Sequence, residues 1–238
     1  MLAQTEMLVR SKDRPSVKNS ILANFTLPDL AAISGFLERV PLKERMVLQE
    51  PKKPVKHIFF VETGIVSQRI VAPGTFLEIA VVGYKGAVGA LSFFEKHLPA
   101  YQSVVLFPGS ALKIEANDLY RVMGERPRVR EHLSRYFQAF AIHTAQMALC
   151  GVRHNLERRV ACWICLACDA LGAEILPVTH DHLSTVLGLR RAGVTDTLNR
   201  FEKQGLIRKA RAQLQVNDLN SLRQKACSCY GIITSAYG

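Results

Sequence analysis

Residues His180 to Ile207, HDHLSTVLGLRRAGVTDTLNRFEKQGLI, constrain this chain more than any other stretch. Leu183, Val186 and Leu187 place an apolar stripe on one short helix. Gly188 then falls where a tight turn needs a residue without a Cβ. Val194, Leu198 and Phe201 recur at helical spacing and predict the buried face of a second helix. The opposite face carries Arg191, Thr195 and Asn199, one turn apart. Guanidinium, hydroxyl and amide groups are the side chains that contact base edges and phosphates. Gly205 is the expected residue just past the helix end.

The next residues sharpen the reading. Leu206-Ile207, the basic run Arg208-Lys209-Ala210-Arg211 and Leu214-Gln215-Val216-Asn217-Asp218 read as strand, cationic turn and strand. A hairpin after the second helix makes a winged helix-turn-helix, with its basic tip placed to reach a phosphate. An αα corner by itself has many uses. Net charge favours the nucleic-acid one: the chain carries +11 overall, and residues 121–238 hold 17 Lys and Arg against 9 Asp and Glu, whereas residues 1–120 hold 14 against 11.

These residues resemble the C-terminal domain of the CRP/FNR family of bacterial transcription regulators. Leu187-Gly188, Arg191, Val194, Leu198, Glu202 and Gly205-Leu206-Ile207 fall in register with the family pattern. The version Arg190-Arg191-Ala192-Gly193-Val194-Thr195 resembles a branch common in proteobacteria of the rhizobial kind, which often ends in Cys-x-Cys-Tyr, here Cys227-Ser228-Cys229-Tyr230. The likeness is strong over residues 155–230 and looser before them. It implies a homodimer on a palindromic double-stranded DNA operator, contact with RNA polymerase, and an unidentified small-molecule effector. Arg191 matches the family's base-reading Arg. Arg190, Thr195 and Asn199 are further base or phosphate candidates, and Arg200, Arg208, Lys209 and Arg211 are phosphate candidates. Ala192 stands where the family commonly has Glu, and Asp196 where it has a second Arg, so the operator is expected to differ from the TGTGA-type half-site.

The expected fold class is α+β. Residues 1–20 read as a flexible tail, 21–126 as a cyclic-nucleotide-binding-like β-roll, 127–151 as a dimerisation helix and 152–238 as the winged helix-turn-helix domain. Leu27-Pro28-Asp29-Leu30 opens a helix with Leu30, Ile33, Phe36 and Leu37 as its stripe, ended by Pro41. From Arg45 to Ile114 short apolar runs alternate with turn signals. The runs are Val55–Val61, Ile65–Val71 after Glu62-Thr63-Gly64, Phe76–Val82, Ser103–Phe107, and Ala111–Ile114 after Pro108-Gly109. Asn117 or another neighbour of Ala116 is expected to cap a short helix to Gly124. Pro127 starts the longest helix, to about Cys150, whose stripe of Leu133, Phe137, Phe140, Thr144 and Met147 is the expected dimer seam. Glu157–Leu171 follows, Thr179 caps the first motif helix, and Asp218–Ala226 closes the chain.

In the best-known members of the resembled family the β-roll holds cyclic AMP through a Gly-Glu pair on the ribose and an Arg on the cyclic phosphate. Here Gly86 and Gly89 are present, but Ala90 stands in the Glu position. Pro99-Ala100-Tyr101-Gln102-Ser103 offers Tyr101 and Gln102 where the Arg falls. An anionic phosphate needs a cation or a nest of amides, and a ribose needs an acceptor carboxylate. Cyclic AMP is therefore not the expected ligand.

No cofactor and no metal ligand set is assigned. Cys162, Cys165 and Cys168 step around a helix and read as core residues. No Cys precedes Cys150, which argues against the N-terminal iron–sulfur cluster of oxygen-sensing family members. His180 and His182, two apart on a helix, point to different sides and read as surface residues. Cys227 and Cys229 leave an alternative open: a redox- or metal-responsive regulator on the same scaffold. No nucleophile elbow, phosphate loop, paired carboxylates or H-E-x-x-H supports an enzyme. With no secretory pattern and no apolar run near the roughly eighteen residues that span a bilayer, the expected location is cytoplasmic.

Overall fold

A computed structural model describes residues 17–90 and 98–238. Residues 1–16 of the expected tail, and Leu91 beyond the Gly86–Ala90 stretch, lie outside the described residues. Residues 17–20 are tied down. Asn19 is fully buried, caps α1 (Ser20–Ala23), and donates from Nδ2 to the carbonyls of Val61 and Gly86, both at 2.9 Å.

The helix α2 (Leu27–Ser34) is capped by Thr26. It ends well before Pro41, which sits in strand β1 (Glu38–Leu42), so Phe36 and Leu37 lie outside it. β2 (Val47–Gln49), β3 (His57–Ala72), β4 (Thr75–Val82), β5 (Ala87–Val88) and β6 (Gln102–Glu115) complete an antiparallel sheet ordered β1-β6-β3-β4, with β2 on β6 and β5 on β3. Two expected turns are instead bends within long strands. β3 runs through Glu62-Thr63-Gly64, and β6 through Pro108-Gly109, with register shifts between Val61 and Val66. Local turn chemistry is absorbed there as bulges that curl one sheet into a roll. Gly64 has φ 84°, and a Cβ on it would lie 2.5 Å from the Phe107 carbonyl oxygen, so the bend needs glycine.

α3 (Ala116–Glu125) starts from Glu115 without a side-chain cap, so Asn117 does not cap it. α4 (Pro127–Arg153) then runs 27 residues. Val129, Leu133, Tyr136, Phe140 and His143 face the chain's own core. Of the expected dimer seam, Leu133 and Phe140 are 0% and 4% exposed in the chain's own core, whereas Phe137, Thr144 and Met147 are half-buried. A 3.6-residue period marks a buried face without saying whose core buries it. A second stripe faces outward at heptad spacing: Ile142, Ala145, Leu149 and Val152, with Val152 84% exposed.

Asn155 caps α5 (Leu156–Leu171), which is buried along most of its length and carries Cys162, Cys165 and Cys168 in the core. β7 (Ile175–Leu176), α6 (His180–Leu187), α7 (Arg191–Lys203), β8 (Ile207–Ala210) and β9 (Gln213–Val216) form the winged motif, with sheet order β7-β9-β8. α8 (Leu219–Lys225) is capped by Asp218. The sequence reading ends the chain there, but a further helix, α9 (Ser228–Ala236), folds back onto α4. Tyr237 just beyond it stacks edge-on against His143 at 5.8 Å.

The roll and the C-terminal helices share one interior: Ile65, Val81, Leu106 and Phe107 pack into the core built around Trp163 and Ile164. Glu78 of β4 is 3% exposed and accepts hydrogen bonds from Trp163 Nε1 and Ser67 Oγ. Among the described residues no helix is long and apolar enough to cross a membrane.

Candidate nucleic-acid interface

Thr179 Oγ1 accepts from the His182 amide at 3.1 Å and starts α6, with Asp181 in its positively polarised first turn. Leu183, Val186 and Leu187 are buried. Gly188 closes the helix at φ 61°, ψ 40°, as the sequence predicts. Val194, Thr197, Leu198 and Phe201 are each 0% exposed, which fixes the roll angle of α7 and turns its other face to solvent. Gly205 takes φ 74° after the Gln204 cap. Arg190 caps α7 with backbone alone, so no side chain occupies the donors of its first turn.

The expected contact residues fall into two sets. Arg190, Arg191, Arg208 and Arg211 are exposed and have no salt-bridge partner among the described residues. Arg191 shares a cleft of about 220 Å³ with Thr179, His180, Asp181 and the wing residues Lys209 and Gln213. The start of the second motif helix and the wing thus border the same space.

The other set is already partnered. Lys209 Nζ pairs with Glu202 at 2.8 Å and donates to Asn199 Oδ1. Thr195 Oγ1 lies 3.1 Å from His180 Nδ1. Burial first, then the charges of Lys209 and Arg191, lower the His180 pKa. Arg200 bonds Thr197 at 3.1 Å and Glu157 at 3.4 Å, a half-exposed pair that is easily exchanged. Ala192 and Asp196, the two departures from the family pattern, are both exposed.

In the roll, Ala90 is fully buried and Gly89 has φ 85°. Aromatic rings of α4 crowd the same region. Tyr136 donates to the Ala87 carbonyl at 2.9 Å, and the Tyr101 and Phe140 rings are 6.1 Å apart. Gln102 bonds Glu50 at 3.2 Å. A cavity of about 590 Å³ opens beyond the Gly83–Gly86 turn, lined by Tyr84, Tyr136, His143, Arg223 and Tyr237. Burial pushes the His143 pKa down to about 4. The sequence gives no warning of this cavity, because α9 builds one wall of it.

One further cluster was only half legible. Cys227 and Cys229 converge on Cys150 and His154 at the joint between α4 and α5. The Cys-x-x-x-His pair is visible as two residues one helical turn apart, but 72 residues separate it from Cys227.

Comparison with known proteins agrees with this architecture. Residues 158–225 match the family model of the Crp-like helix-turn-helix domain. Electron transport regulator A of Shewanella oneidensis is 24% identical over 190 residues, covering 75% of each chain. The structure of FixK2 from Bradyrhizobium japonicum superposes with TM-score 0.69 at 17% identity, over 80% of this chain and 98% of that one. A CRP/FNR-family transcriptional regulator from Thermus thermophilus gives TM-score 0.65 at 20% identity, over 79% and 98%. Residues 158–225 thus match a Crp-like helix-turn-helix domain, and the chain as a whole shares its fold with these regulators.

Proposed function

We propose that the protein is a homodimeric, sequence-specific DNA-binding regulator whose β-roll answers to something other than cyclic AMP. The observation that carries this reading is the unpaired basic set of Arg190 and Arg191 at the start of α7, with Arg191 bordering the same cleft as the wing. Arg191 is the leading candidate for a bidentate guanine contact. Arg190, Arg208 and Arg211 serve phosphates, and Arg200 joins them by exchanging its Glu157 pair. Asn199 and Lys209 hold the wing against α7, and Thr195 ties α7 to the start of α6 through His180.

Dimerisation supports the affinity, because one winged helix reads few base pairs and two-fold pairing adds a second half-site. The outward stripe Ile142, Ala145, Leu149 and Val152 suits a second copy of α4, since it repeats at three- and four-residue steps and is apolar. In the roll, Ala90 offers no carboxylate to a ribose, and the rings of Tyr101, Tyr136 and Phe140 occupy the region around it. A signal there acts by shifting the population of α4 pairings and so the spacing of the two α7 helices.

The test is selection of bound fragments from a random DNA pool by purified, ligand-free protein. A palindromic motif is expected. Arg191→Ala should weaken binding to it by roughly 5- to 150-fold, the equivalent of about 1–3 kcal/mol. Equal enrichment by wild type and Arg191→Ala would refute the assignment of Arg191.

A further inference from the structure

The C-terminal half holds four metal-binding side chains that the DNA-contacting machinery does not use. Cys150 lies in the last turn of α4, and His154 is the residue on which that helix ends. Cys227 precedes α9, and Cys229 is its second residue. The Sγ atoms of Cys150 and Cys227 are 3.5 Å apart, and Cys229 Sγ is 3.6 Å from His154 Nδ1. All four donor atoms lie within 4.8 Å of one another. The three cysteines are buried and His154 is half-buried.

These distances fit a single ion. With Zn–S of about 2.3 Å and Zn–N of about 2.0–2.1 Å, a regular tetrahedron has S···S edges of about 3.8 Å and S···N edges of about 3.5 Å. The Cys150–Cys227 and Cys229–His154 pairs, at 3.5 and 3.6 Å, already lie near those edges. An iron–sulfur cluster interposes several atoms between its ligands and spreads them further apart. Three thiolates and one imidazole are the donor set of a structural zinc site. Each ligand pair is preset by local geometry: Cys150 and His154 are one helical turn apart on one face, and Cys227 and Cys229 flank the positively polarised start of α9. Arg223 and Tyr230 reinforce the placement by bonding Asp169 of α5 at 2.9 and 2.8 Å, which holds the α8–α9 junction in place.

We propose that Cys150, His154, Cys227 and Cys229 bind one zinc-class divalent ion, which clamps α9 to the end of α4. The clamp sits at the joint itself. His154 has an extended backbone (φ −106°, ψ 146°), and Asn155, next to it, caps α5. A metal there fixes the direction in which the chain leaves α4 for the helix-turn-helix domain. The site goes beyond the DNA-binding reading and stands or falls without it.

The experiment uses the full chain, purified under a thiol-free reductant, with metal content measured by mass spectrometry. Stoichiometric zinc is expected. After removal by a chelator, Co²⁺ titration should restore one equivalent, with the intense visible bands of a tetrahedral thiolate site, and the apo protein should melt at a lower temperature than the loaded one. Cys229→Ser and His154→Ala should lose the Co²⁺ spectrum, whereas Cys165→Ser, in the core of α5, should keep it. The wild-type Co²⁺ titration decides the matter even where a variant fails to fold. Absence of a Co²⁺ thiolate spectrum in the reduced wild-type chain overturns the proposal. So does an unchanged spectrum in both ligand variants, or iron with acid-labile sulfide in place of zinc.

Discussion

Replacing Glu78 by Gln should erase a pH dependence of stability built into the contact between the roll and α5. The Glu78 carboxyl is 3% exposed, and burial raises its pKa from 4.5 to about 7 against the opposing pull of Ser67, Trp163 and Arg69. Between those two values the unfolded chain has released this proton while the folded chain still holds it. The folded state binds more protons there, so stability falls as pH rises. The contribution is fully present below the unfolded pKa of 4.5 and is lost as pH rises through about 7. At 1.36 kcal/mol per pKa unit the swing is about 3 kcal/mol. Gln cannot ionise, yet its Oε1 still accepts from Trp163 Nε1 and its Nε2 donates to Ser67 Oγ. The variant should therefore match wild type at about pH 4.5 and exceed it by up to ~3 kcal/mol at about pH 8. Urea unfolding followed by the fluorescence of Trp163, the single tryptophan, reads this directly. The difference between the two proteins isolates Glu78 from the other titrating groups. Parallel pH profiles for Glu78→Gln and wild type would refute the reasoning.

Two further outcomes follow from other surfaces. Leu149→Glu with Val152→Glu should convert a dimer into a folded monomer in sedimentation experiments, because both side chains face outward and neither supports the chain's own core; a dimer that survives both charges would remove the outward stripe as the seam. Titration calorimetry with cyclic AMP should show no binding tighter than about millimolar, given the missing carboxylate at Ala90 and the absence of an Arg near Tyr101; micromolar affinity would overturn that expectation.

The sequence alone determined what local rules govern. Thr179, Gly188 and Gly205 mark the ends of the motif helices because caps and left-handed residues are chosen by backbone geometry within a few positions. Val194, Leu198 and Phe201 declare the buried face of α7, and with it which side carries Arg191, because helical period alone sets that division. The alternation of strands and turns announces the roll. Tertiary structure decided the rest, where the partner of a residue lies far away in the chain. Glu62-Thr63-Gly64 carries turn chemistry, yet pairing with β6 pulls it straight into a bulge. α4 has two apolar stripes, and only the packing of the roll and α9 shows that Leu133 and Phe140 face inward while Leu149 and Val152 face out. Asn199 and Lys209 look like free contacts until the wing folds back and joins them. Cys150 and Cys227, 77 residues apart, become neighbours only because α9 returns to the end of α4. Spacing along a chain fixes what a segment can form, but contacts between distant segments follow from how their apolar faces are jointly buried.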